Sequence, residues 1–243
     1  MSETGHAKNV ANFETVTIIL AGLGANYNPT QALILLAALQ TKLAEAKDAL
    51  NALDAWEAAK KVAVNERQAE YADIQKLAVN IKREAEVAVN DPAFTKDLQT
   101  IVRKFTGSAA PGTPKPTDDP ATPETDESKT GKSVSERSYD KLVSHFADLI
   151  ALLKTQPSYK PNDAEIQIAT LETKLAQMEA KNNAAKAAIA ATGNGQDARD
   201  QILYDKDTGV IKLVKLIKTQ LARKPGKDSA AYQHINALEF RKY

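Results

Sequence analysis

The side chains that could do chemistry in this chain are few and scattered. The three histidines, His6, His145 and His234, fall in different segments, and no two stand three or four residues apart as ligands on one helix face would. There is no cysteine, so neither a thiolate metal site nor a cysteine nucleophile can form. Carboxylates at helical spacing, Glu66 with Glu70 and Glu45 with Asp48, lie among lysines and arginines, the pattern of a solvated helix face. Gly193-Asn194-Gly195 lacks the Lys-Ser/Thr of a phosphate-binding loop and follows no strand-like run, so it reads as a turn. No catalytic residue, metal ligand, cofactor or enzymatic activity is expected.

Two cationic features stand out. Arg67 and Arg199 each occupy a seam position that otherwise carries alkane side chains. Such an arginine packs its stem and pairs its head with a carboxylate or helix carbonyls, or else it contacts a ligand. The structural role is the expectation. Lys212, Lys215 and Lys218 follow one helical stripe opposite Val210, Leu213, Val214, Ile217 and Leu221, with Arg223 and Lys224 just beyond. These five are the candidate anion-binding residues, since a basic amphipathic helix can hold phosphates or an acidic surface. The plain alternative is an ordinary wet helix face, and no aromatic residues interleave for base stacking.

The elements that carry these residues are written twice. Tyr27-Asn28-Pro29-Thr30 returns 132 residues later as Tyr159-Lys160-Pro161-Asn162, and Ala37, Leu39, Thr41, Lys42 and Leu43 return as Ala169, Leu171, Thr173, Lys174 and Leu175. Asn51 and Arg67 meet Asn183 and Arg199 at the same spacing. A unit of about a hundred residues, duplicated in tandem, is the simplest account. Alanine, leucine, lysine and glutamate abound while aromatic residues make up 5%, which favours an all-α fold.

Each unit should hold about four helical segments in a small bundle. The first opens with a helix from about Asn9 to Leu23 after a frayed stretch over residues 1–8. Pro29 then turns the chain, with Thr30, or Asn162 in the second copy, capping the next helix. From Thr30 to Asn90 there is no glycine or proline. Apolar residues step by three and four, but Glu57, Lys60 and Arg67 put charge on the seam. Either one long helix or a hairpin with its tip at residues 57–67 fits. The glycines at 193 and 195, in the equivalent place, favour the hairpin. Asp91 with Pro92, and Ser229 in the second copy, read as starts of the closing helices. Asp205-Lys206-Asp207-Thr208-Gly209 should break the third helix of the second unit.

Residues 107–134 hold five of the ten prolines and no aromatic residue. Such a composition cannot offset its chain entropy by burial, so a disordered tether between two bundles, 1–106 and 135–243, is expected. The net charge is +1 overall, but the second unit alone carries +4, which permits an anionic partner. The apolar run from Val16 to Leu23 is preceded by Glu3 and Glu14, unlike a secretory leader, and no apolar stretch is long enough to span a membrane. A soluble, cytoplasmic protein is the expectation.

The second unit resembles a group of bacterial helical-repeat proteins without known activity. The residues that carry the resemblance are Tyr159, Pro161 and Asn162, then Ala198-Arg199, Leu203-Tyr204, Thr208-Gly209, and finally Phe240-Arg241. It implies an ordered helical unit and no mechanism. The functional expectation is a non-enzymatic interaction or structural protein that presents two related surfaces to a protein partner or to copies of itself. The second reading is a nucleic-acid or anionic-surface binder.

Overall fold

The computed structural model describes residues 3–107 and 137–242, and every regular element within them is helical. The helices are α1 (Glu3–Gly22), α2 (Leu36–Tyr71), α3 (Ile74–Ala88), α4 (Pro92–Thr106), α5 (Tyr139–Lys154), α6 (Ile168–Tyr204), α7 (Val210–Leu221) and α8 (Ala230–Ala237). Among the described residues, no helix is long and apolar enough to cross a membrane.

Local chemistry explains most of the boundaries. Asp91 accepts from the backbone N–H of Ala93 and Phe94 ahead of Pro92, and Ser138 and Ser229 cap α5 and α8 in the same manner. The Asp205 carboxylate accepts from the N–H groups of Asp207 and Thr208 and from the Thr208 hydroxyl, ending α6 where the sequence predicts a break. These bonds hold its pKa below the usual carboxylate range. Gly209 completes the turn, because a Cβ there would lie 2.5 Å from the backbone nitrogen of Asp205.

The proline corners differ from expectation. Both long helices start seven residues after the proline, at Leu36 and Ile168, behind a single 3-10 turn at Ala32–Ile34 or Ala164–Ile166. What fixes each corner is the repeated tyrosine rather than Thr30 or Asn162. The Tyr27 hydroxyl donates to the Ile34 carbonyl at 2.7 Å, and the Tyr159 hydroxyl to the Ile166 carbonyl at 2.9 Å. Burial pushes both phenols up to about 12. A phenol whose folded pKa lies above its unfolded value of about 10 contributes stability that is complete below pH 10 and lost as pH rises towards 12. Alkaline unfolding is therefore expected to set in above about pH 10, as these phenols ionise. Tyrosinate absorbance during a pH titration checks it. Were all tyrosines to ionise together near pH 10 before unfolding, these hydroxyls would not be held as described.

The hairpins are absent. α2 runs unbroken through residues 57–67, and α6 runs unbroken through Gly193 and Gly195. The charges in α2 have a simpler cause than a turn: none of residues 54–70 is buried, so the helix is merely wet there. The glycines have another cause. Gly195 is buried, and a Cβ on it would stand 2.1 Å from Cε3 of Trp56, whose ring rests on the helix backbone. A Cβ on Gly193 would meet nothing within 4 Å.

This yields a contrast within one helical turn. Gly193→Ala is expected to stabilise by about 1 kcal/mol, the ordinary helix gain. Gly195→Ala has to displace the indole, and should lose that gain and about 1 kcal/mol more. The chain has a single tryptophan, so its emission should shift red in the Gly195 variant alone. Equal midpoints for the two variants in urea melts would show that the ring does not rest on Gly195.

With both long helices unbroken, the chain does not divide into 1–106 and 135–243. The first compact unit comprises residues 1–61 and 187–243, and the second residues 62–186. The first buries Val10, Phe13, Val16 and Leu20 of α1 and Leu39 and Ala46 of α2 against Leu203 of α6, Val210, Leu213, Val214, Ile217 and Leu221 of α7, and Ile235 of α8. The second unit buries Tyr71 and the apolar faces of α3 and α4 against Phe146, Leu149 and Leu153 of α5 and Leu171 and Met178 of α6. Because α2 does not turn back, its first and last stretches enter different cores, and α6 does the same.

The segment 107–134, expected to be a tether, lies outside the described residues except for Gly107. Its flanks are informative. Gly107 and Arg137 both belong to the second unit, and a Cβ on Gly107 would sit 3.6 Å from Cδ of Arg137.

Candidate functional site

The histidines do not converge. His6 is not frayed but buried in α1, with Nδ1 2.7 Å from the Tyr204 hydroxyl. His145 is buried in α5 edge-on to Phe105, and His234 is exposed in the last turn of α8. Among the described residues, no group of three or more metal-binding side chains is assembled. Three of the paired carboxylates are matched to a cation instead: Glu66 to Lys181 and Glu70 to Lys174, both at 2.8 Å, and Glu45 to Lys42 at 2.6 Å.

The repeated arginines sit in different surroundings. Arg67, half-buried in the second unit, lies 4.1 Å above the ring of Tyr139, a cation–π contact. Its Nη1 donates weakly to Oδ1 of Asn182 at 3.4 Å. Asn182 donates in turn to Asp140 at 2.7 Å, and Lys186 pairs with the same carboxylate at 2.5 Å. The Lys186 hydrogen bond, helped by Asn182, draws the Asp140 pKa down. Arg199, in the first unit, is only 5% exposed, and both its Nε and Nη2 reach Oδ1 of Asp200, at 2.9 and 2.8 Å.

The basic stripe is divided by its geometry. Lys218 turns inward at the C-terminal end of α8, donating to the carbonyls of Asn236 at 3.3 Å and Leu238 at 3.5 Å. Its burial lowers the ammonium pKa. Arg223 donates to Gln220 at 3.4 Å, beyond which Lys224 lies exposed. Lys212 and Lys215 form no hydrogen bond or ion pair among the described residues. Lys215 is exposed and Lys212 half-buried.

Lys215 and Lys218 border a groove of about 420 Å³ in the first unit, between α7 and the chain that follows α8. Ile211, Val214, Leu238 and Phe240 give it an apolar lining, and Arg241, paired with Glu239 at 2.9 Å, closes one end. The far wall is a strap held by α1. Asn9 donates to the carbonyl of Arg241 at 2.6 Å and accepts from its N–H at 3.1 Å, while Asn12 donates to the carbonyl of Glu239 at 2.8 Å. Asn9 also donates to the Tyr204 hydroxyl, tying the strap to the end of α6.

The sequence exposed Lys215 and Lys218 but missed the groove. Asn9 and Asn12 read as the first turn of an ordinary helix, and residues 238–241 read as the tail of another. The clue was the alternation Leu238-Glu239-Phe240-Arg241, apolar and charged by turns, which suits an extended segment better than a helix. No protein-family model, curated protein or solved structure matches the chain.

Proposed function

We propose that the chain is a non-enzymatic interaction protein built from two related helical units, with the groove of the first unit as its contact surface for a protein partner. The observation that carries this reading is the groove itself: apolar along its length, cationic at its rim, and walled by a strap that α1 holds in place. Such a surface suits a ligand with both apolar and acidic groups. The tandem duplication belongs to the same proposal. It is supported by the matching tyrosine bonds at the two corners, Tyr27 to Ile34 and Tyr159 to Ile166. Each compact unit then takes its leading helix from one copy and its closing helices from the other.

A nucleic-acid or anionic-surface role is the second reading, favoured by Lys212, Lys215 and Lys224, which have no acidic partner among the described residues. Affinity capture of the full chain from its native cell, read by mass spectrometry, should recover a stoichiometric protein partner. A salt-dependent shift on mixed-sequence DNA or anionic vesicles, with no protein recovered, would replace the first reading by the second.

A further inference from the structure

Building on that reading, we infer that the groove beside α7 takes an extended acidic peptide, paired edge-on with the backbone at Phe240 and anchored by a carboxylate on Lys215. The chain leaves α8 at Leu238 with extended backbone angles, φ −72° and ψ 122°. In an extended segment, successive residues turn their N–H and C=O groups to opposite sides. Glu239 and Arg241 turn theirs towards Asn12 and Asn9 on α1. Leu238 turns its carbonyl the other way, to Lys218 on α7. Phe240 shares that side, which is the groove side, and its backbone N–H and C=O make no bond among the described residues.

An unpaired backbone N–H and C=O at Phe240, in a non-helical segment beside apolar side chains, offers an incoming extended chain the first pair of bonds of strand addition. Alternate side chains of the incoming strand would point into the lining formed by Ile211, Val214 and Phe240. Charge sets the ligand class. Lys215, Lys218 and Arg241 face the groove against the single carboxylate of Glu239. Lys218 is already engaged with two carbonyls and Arg241 with Glu239, so Lys215 is the cation left to receive an acid. The groove holds no array of cations at phosphate spacing, since Lys218 and Arg241 are already engaged, which favours peptide over nucleic acid.

The test is a fluorescence-anisotropy titration of the full chain with a labelled hexapeptide of alternating aspartate and leucine. Saturable binding is expected, weakened at least about tenfold by Lys215→Glu, since the substitution removes an attraction and adds a repulsion. Ile211→Glu should weaken it comparably. Both positions are at least partly exposed, and circular dichroism verifies that the variants remain folded. N-methylation of alternate amides in the peptide should abolish binding, because it blocks strand pairing without changing charge. A lysine–leucine peptide should not bind. No saturation with the acidic peptide, equal affinity for Lys215→Glu, or tight binding of the N-methylated peptide would each overturn the inference. So would a mixed-sequence duplex that binds through Lys215 while the peptide does not. A captured partner that binds wild type and Lys215→Glu alike would sink the groove assignment and leave the broader interaction role standing.

Discussion

A chain cut once between residues 107 and 137 is expected to keep the size of the intact protein, its two fragments held together without a covalent link. The reason lies in how the cores are composed. The second unit buries Phe94, Leu98, Val102 and Phe105 from the first half of the chain against Leu142, Phe146, Leu149 and Leu153 from the second. The first unit likewise sets α1 and the start of α2 against Leu203, Val210, Leu213, Val214, Ile217 and Leu221. Fully burying one such side chain is worth about 1.5–3 kcal/mol. Parting the fragments would expose a dozen or more of them, far beyond the 12 kcal/mol or so that corresponds to nanomolar affinity. Fragment 1–107 alone keeps α1 to α4 but loses α5 to α8, against which both cores pack, so it should show no cooperative monomeric melt. The measurement is size-exclusion chromatography with light scattering, after cleavage at a protease site inserted between Gly107 and Arg137. Two separate, folded, monomeric fragments would mean that each long helix closes on itself as a hairpin, and that the observed pairing of segments is wrong.

Sequence periodicity was enough to place most of the helices, because their signals are local. Asp91 with Pro92 starts α4, Asp205 to Gly209 ends α6, and the stripe Val210, Leu213, Val214, Ile217, Leu221 is the buried face of α7. What could not be read was which segments share a core. A polar interval such as residues 57–67 looks the same whether it tips a hairpin or runs through solvent as helix, because both leave its side chains wet. The glycines misled for a related reason. Gly195 is needed for the close approach of Trp56, and that contact joins residues 139 positions apart. The groove was hidden by the same kind of distance: Asn9 meets Arg241 across 232 positions. Lys215 was legible as a surface cation, but its neighbours Leu238 and Phe240 become a site only when α1 holds the strap.

Replacing Arg199 by alanine should destabilise the full chain by about 3 kcal/mol, the largest effect expected from a single side-chain truncation outside the apolar cores. The side chain is 6% exposed while its partner Asp200 is 42% exposed, so the ion pair is lopsided. Removing the arginine lets Asp200 return to water at little cost. What cannot be recovered is the packing of a long stem and planar head inside the unit, and the cavity left there sets the penalty. Arg199→Met separates the two causes. It keeps most of the volume and discards the charge, so a loss of only about 1 kcal/mol is expected if packing dominates. Arg67→Ala should cost about 1–2 kcal/mol, since that residue is half-buried and loses a ring contact and one long hydrogen bond. Lys215→Ala should stay within about 0.5 kcal/mol, being exposed and without a partner among the described residues. Urea melts of the four variants rank them. Should Arg199→Ala melt with the wild type, the buried arginine would have no structural task, and a ligand would be its remaining role. Should methionine prove as costly as alanine, the polar contacts of the guanidinium would outweigh the packing.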